Sequence, residues 1–261
     1  MSDFIPMSKP FLGKTEIDAV VEVLESGWIT TGPKCNAFEE EFADFIGASH
    51  ALSLSSGTGG MHIVLKALGI GEGDEIITPS MTFASTVNQI VLVGARPIFA
   101  DIDYDTLLIR AQDIEKLITK HTKAIIPVHF AGAPVDMDAI EDIAGDIAII
   151  EDAAHAIDTY YKGKHIGRKN LSIFSFHPIK NITTSEGGMV TGNDDAFMHQ
   201  LRLLRFHGIE RDSWKRYGKA SDPDYDIVEP GFKYNMTDIQ AALGLAQLKQ
   251  IKEITERRTR I

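Results

Sequence analysis

The sequence predicts an α/β domain of three layers, a mainly parallel sheet covered by helices on both faces. Two observations predict it: βαβα alternation from about residue 51 to 190, and near-continuously apolar strand runs such as AIIPV and IAII, which suit burial on both sides. A third is that no repeat, low-complexity tract or linker divides the 261 residues. Short β-branched runs at Ala51–Leu54, Glu75–Thr78, Pro97–Ala100, Ala124–Val128, Ile147–Glu151, Ser172–Phe176 and Met189–Thr191 read as strands. Helical periodicity fills most gaps, as at Met61–Leu68, Phe83–Val93 and Asp113–Ile118. Residues 14–26 and 37–46 read as two further helices, separated by the turn-rich GWITTGPK. From Phe206 to Asn235 the pattern lapses into a polar stretch with several Gly and Pro, long enough to read as a functional or interfacial loop. Thr237–Asp238 then start a helix that runs through ALGLAQLKQIKEITERR. The expected organisation is one large domain over 1–236, including the N-terminal helices, with 237–261 as the start of a long helix.

Composition narrows the class without naming a chemistry. No run approaches the roughly 20 apolar residues of a membrane helix, and the first residues lack a secretory pattern. A single cysteine, Cys35, cannot form an internal disulfide, which suits a reducing cytoplasm. The 26 basic and 37 acidic residues leave a net charge of −11, which offers nucleic acid and anionic lipid no general attraction.

Three motifs fall where an open α/β sheet binds ligands, at the carboxyl ends of its strands. SLSSGTGGMHIVLKAL reads as strand, Gly-containing turn and helix; the free N–H groups of that helix start, with the Ser and Thr hydroxyls, could cradle a phosphate or simply cap a turn. AIIEDAAHA ends an apolar strand in Glu151 and Asp152, with His155 three residues on. A carboxylate there could hold a protonated heteroaromatic nitrogen, ligate a metal or cap a helix. Metal ligation lacks a second cluster, because the nine His are scattered. SIFSFHPIKNITTSEGG places Lys180 after a hydrophobic strand among Ser, Thr and Gly, the setting either of a solvated lysine or of one whose lowered pKa suits a Schiff base to a carbonyl. Phosphate cradle, carboxylate and lysine, in that order, are the equipment for pyridoxal 5'-phosphate.

The strings GWITTGP, SSGTGGMH, ALGIGEGDEIITPS, KAIIPVHFAGAP, IEDAAHA, FSFHPIKNIT and PGFKYNMTDIQAAL make the chain resemble the DegT/StrS family of PLP-dependent sugar-nucleotide aminotransferases, from about Pro6 to the end. PVHFAGAP, FHPIKNIT and PGFKYN give a closer likeness to the UDP-4-amino-4-deoxy-L-arabinose–oxoglutarate aminotransferases of lipid A modification. The resemblance implies the large domain of the PLP-dependent transferase fold type I, with the small C-terminal domain of the family missing from this sequence. It implies Lys180 as the lysine that holds the cofactor aldehyde, Asp152 as the partner of the pyridine nitrogen, and His155 beside the phenolic oxygen. Gly57, Thr58 and Ser175 would hold the phosphate, and Phe83 would stack on the ring. Asn235 would reach the phosphate of a neighbouring subunit, since the family builds its sites across a homodimer. Trp28, Thr30 and Thr31 would lie along the path of a nucleotide-sugar substrate, with L-glutamate and 2-oxoglutarate as the amino-transfer pair. A PLP-dependent sugar dehydratase on the same scaffold carries His at the lysine position, which Lys180 argues against. A non-catalytic PLP-binding module or a truncated, inactive aminotransferase is the alternative.

Departures and decoys complete the reading. Phe83 stands where the arabinose enzymes carry Trp, and SEGG where much of the family has GEGG. GIGEG at Gly69–Gly73 follows a helix and precedes a strand, the reverse of a dinucleotide fingerprint. Cys35 reads as a small core filler and the run Glu39–Phe42 as a solvated helix face.

Overall fold

A computed structural model describes residues 8–210 and 225–260; the 211–224 part of the Gly- and Pro-bearing loop lies outside the described residues. Strands β1 (His50–Leu54), β2 (Glu75–Pro79), β3 (Arg96–Ala100), β4 (Thr122–Ile125), β5 (Ala148–Asp152), β8 (Leu171–Ser175) and β9 (Gly188–Gly192) form one sheet in the order β1-β9-β8-β5-β4-β2-β3. β9 pairs antiparallel with both neighbours and every other pairing is parallel, so the remaining six strands point one way and their carboxyl ends share one edge. Each lies within three residues of the run that predicted it. A small hairpin, β6 (Tyr160–Tyr161) and β7 (Lys164–His165), stands apart.

The period-2 alternation of side chains explains the layers. Ala51, Ile77, Ile125, Phe174 and Met189 join one buried cluster, whereas Leu52, Ile76, Ala124, Ile173 and Val190 join another on the opposite face. Helices α2 (Pro33–Ile46), α5 (Ala111–Glu115), α6 (Met137–Ala144) and α8 (Asp238–Lys249) supply the first cluster. Helices α3 (Gly57–Ala67), α4 (Ala84–Leu92) and α7 (Asp195–Arg205) supply the second. α1 (Lys14–Ser26) packs outside on α8. No helix among the described residues is long and apolar enough to cross a membrane.

Several local expectations are corrected. α2 begins at Pro33 rather than residue 37, because proline's fixed φ suits the first helical position. α5 covers Ala111–Glu115 and stops short of Ile118. The terminal helix breaks at Gln250 (φ −103°, ψ 4°) into α8 and α9 (Ile251–Thr259). There the Gln250 side chain reaches Glu16 Oε1 on α1, alongside that of Gln247. Within Glu39–Phe42 only Glu40 and Glu41 are solvated: Phe42 is core, and Glu39 is buried against Arg202, Arg205 and Ser53. A helical face exposes some positions and buries others, and a run of like charges does not show which. Cys35 is fully buried, and burial together with the Asp238 carboxylate pushes its thiol pKa well up, so it is core filler.

A long-range cap fixes the start of α2. Gly32 has no side chain to cap the helix, and buried Asp238 does so from the first turn of α8. Its carboxylate accepts from the N–H groups of Gly32 (2.7 Å), Lys34 (3.1 Å) and Cys35 (3.0 Å). Asp238→Ala is expected to lower unfolding free energy by about 1–3 kcal/mol in urea titration, because three N–H groups lose their acceptor.

Candidate active site

The carboxyl-end edge of the sheet gathers the chemistry. Strand alternation decides between the adjacent carboxylates of β5. Glu151 turns inward, where its Oε2 meets Nε2 of fully buried His129 at 2.8 Å. Asp152 turns to the other face, where its Oδ2 accepts from the Thr86 hydroxyl (2.7 Å) and its Oδ1 from the Ala154 N–H (3.2 Å). Thr86 is buried in the first turn of α4 and holds that helix against the end of β5. Thr86→Val removes the donor from the buried oxygen and is expected to weaken cofactor affinity roughly 10- to 100-fold, measured by absorbance titration.

Lys180 lies in the loop between β8 and β9, its N–H bonded to the His177 carbonyl at 2.8 Å. Among the described residues its Nζ forms no ion pair, so burial lowers the amine pKa, partly offset by the Asp152 charge. His155 responds to the same group: burial, then Lys180, lowers its pKa, and Asp152 opposes them. The three side chains predicted to carry chemistry thus lie close enough for the charges of Lys180 and Asp152 to act on their neighbours.

The residues expected to cradle a phosphate meet beside them. Ser56 caps α3 by accepting from the Gly59 N–H at 3.0 Å, which leaves the Gly57 and Thr58 N–H groups at the helix start without intrahelical acceptors. Close approach requires glycine at 188, where a Cβ would stand 2.3 Å from the Gly57 nitrogen, while a Cβ on Gly57 would stand 3.1 Å from the Phe174 carbonyl oxygen. Ser175 Oγ accepts from the His177 N–H, which keeps its own proton for another acceptor. The Thr58 hydroxyl donates to Ser85 at 3.0 Å, next to Thr86, so α3 and α4 start side by side. Phe83, immediately before α4, leaves 78% of its surface exposed, an aromatic ring without a protein lid. A half-buried amine, an oriented carboxylate, free helix-start N–H groups and an uncovered aromatic ring fit pyridoxal phosphate in donor type and position.

Other expected residues cluster separately. Trp28 Nε1 donates to the Thr31 carbonyl (3.1 Å), Asn235 Nδ2 to Thr31 Oγ1 (2.6 Å), and the Asp238 N–H to the Thr30 carbonyl (3.1 Å). Among the described residues no hydrogen bond joins this cluster to Lys180, Asp152 or His155. Ser85, Thr86 and the His129–Glu151 pair were not legible in sequence, since each depends on how two distant elements face each other. Ser185 of SEGG takes φ +71°, the left-handed region where glycine is at ease. Ser185→Gly is therefore expected to stabilise the protein by about 0.5 kcal/mol, read from the denaturant midpoint.

Fold and site define a pyridoxal phosphate-dependent aminotransferase. The chain belongs to the DegT/DnrJ/EryC1/StrS aminotransferase family, which matches residues 10–261. It is similar to Spr1654, a candidate sugar aminotransferase from Streptococcus pneumoniae. To the PMP form the TM-score is 0.91 at 37% identity, over 98% of this chain and 70% of that one. To the PLP form it is 0.89 at 37% identity, over 98% and 69%. Helicobacter pylori PseC, an aminotransferase involved in pseudaminic acid biosynthesis, matches with TM-score 0.87 at 33% identity, over 95% of this chain and 66% of that one. The chain spans about two thirds of the length of these relatives. The likeness they give is to the family, and none of them shows the narrower likeness to the arabinose enzymes.

Proposed function

We propose that this protein moves an amino group from L-glutamate to the keto carbon of a nucleotide-linked 4-keto sugar, a UDP-4-keto-pentose or a related hexose. The observation that carries the reading is the arrangement at the strand ends, where Asp152 is held by Thr86 and Ala154 at the end of β5 and the half-buried Lys180 lies in the loop after β8. When bound, pyridoxal phosphate supplies an aldehyde carbon for the amino group and a ring that takes up electrons from a deprotonated carbon.

The chain's own residues do the rest. Lys180 holds the cofactor covalently and, once released, moves the proton of the amino donor's Cα; burial lowers its pKa, which raises the share of free amine able to accept that proton. Asp152, oriented by Thr86 and Ala154, holds the proton on the pyridine nitrogen. Gly57, Thr58 and Ser175 bind the phosphate, Phe83 covers the ring face, and His155 donates to the phenolic oxygen. Trp28, Thr30 and Thr31 line the path of the sugar nucleotide. Asn235 completes the site of a second copy in a homodimer. PVHFAGAP, FHPIKNIT and PGFKYN support the arabinose substrate and a place in lipid A modification, and the Phe at position 83 loosens that choice.

The test is incubation of the PLP-loaded protein with L-glutamate and UDP-4-keto-pentose, with the amino sugar followed by mass spectrometry. Formation of the 4-amino sugar with equimolar 2-oxoglutarate is expected. Glutamate consumption limited to one equivalent per site, without sugar product, would assign the donor and reject this sugar.

A further inference from the structure

We infer that the turn His129–Gly132 sets the tautomer of His155, making Nε2–H its one donor and the turn a positioning element for that residue. β4 leads into this turn through continued pairing with β5: the Asp152 N–H donates to Pro127 O (2.9 Å) and the His129 N–H to Asp152 O (3.1 Å). The His129 side chain then pins the turn at both ends. Its Nε2 meets Glu151 and its Nδ1 accepts from the Val135 N–H at 3.1 Å, all buried. One hydrogen bond and one close approach tie the turn to the segment that carries His155. The Thr159 hydroxyl donates to Gly132 O (2.8 Å), and a Cβ on Gly132 would stand 3.1 Å from the His155 carbonyl oxygen.

Between these anchors Ala131 takes φ +53°, a left-handed conformation that an alanine adopts only when its surroundings impose it. The consequence is the direction of one N–H: Ala131 N donates to His155 Nδ1 at 3.3 Å. A backbone N–H can only donate, so Nδ1 must accept and the proton of the neutral ring sits on Nε2. The ring edge-packs against Phe130 of the same turn, with centroids 6.4 Å apart, which limits a flip. The catalytic consequence rests on the proposed placement of His155 at the cofactor; the tautomer itself does not.

The experiment is a long-range 1H–15N correlation spectrum of the PLP-loaded protein labelled at histidine nitrogens, with His155 assigned by its loss in His155→Gln. A protonated Nε2 and an unprotonated Nδ1 are expected. Ala131→Gly keeps the N–H and relieves the φ, and is expected to keep this pattern. Gly132→Ala, strained at φ +86° and crowded against His155, is expected to mix the tautomers and to lower kcat about tenfold, with KM for glutamate nearly unchanged. A proton on Nδ1 in the unaltered protein would overturn the inference even if Gly132→Ala failed to fold. So would a folded Gly132→Ala variant with an unchanged spectrum. Absence of transaminase activity with Nε2 protonated would reject the proposed function and leave the tautomer assignment standing.

Discussion

Lys180→Ala is expected to lower transamination by roughly 10⁴-fold, because in the proposed mechanism one side chain supplies both the covalent hold on the cofactor and the proton transfer. Single-turnover mixing with glutamate measures it, and borohydride treatment followed by peptide mapping should no longer fix cofactor to the 176–187 loop. The same substitution is expected to raise the apoprotein Tm slightly. The sign follows from linkage. Burial lowers the folded-state pKa of Lys180 below its unfolded value, so the unfolded chain binds more protons between the two and stability rises with pH across that window. Removing the amine removes that rise and the desolvation cost that burial places on its charged form.

The second large effect concerns stability alone. Arg205 on α7 donates to Glu39 of α2 and, at 2.9 Å, to the Ser53 carbonyl of β1, in a site closed to water. Glu39 also accepts from the Ser53 N–H (3.0 Å), the Ser53 hydroxyl (2.7 Å) and Arg202 (3.1 Å). Arg205→Leu strips the nearest charge from a buried carboxylate and is expected to cost about 3–5 kcal/mol in denaturant unfolding. Burial alone would raise the Glu39 pKa; the two guanidiniums and the Ser53 donors outweigh it and hold the pKa below its ordinary value. With the folded pKa depressed, the stabilisation is present above the ordinary carboxylate pKa and is lost as pH falls through the folded one. The acid-unfolding midpoint of the unaltered protein should therefore lie lower than that of Arg205→Leu.

What was legible in the sequence divides along physical lines. The strands could be read because burial on both faces forces nearly every residue of AIIPV and IAII to be apolar, and that pattern needs no knowledge of neighbours. Lys180 stood out because a lysine amid buried strand ends and small residues is unusual company. The residues alone did not separate Asp152 from Glu151, and only the family resemblance picked Asp152, because both end the same strand and the sheet's alternation gives one to His129 and the other to Thr86. Glu39 was misread because its partners lie 14 and 166 residues away, on β1 and α7. PVHFAGAP was legible as a block, yet the turn at Ala131 that aims one N–H at His155 exists only in three dimensions.

The most direct test of Lys180 as the reactive centre is the visible absorption spectrum of the protein with added PLP, before and after L-glutamate, followed by borohydride reduction and peptide mapping. A yellow band that fixes to Lys180 on reduction, and that bleaches with glutamate as 2-oxoglutarate appears, is the expected result. A band that forms and ignores glutamate, or reduction that places the cofactor on any lysine other than Lys180, would contradict it.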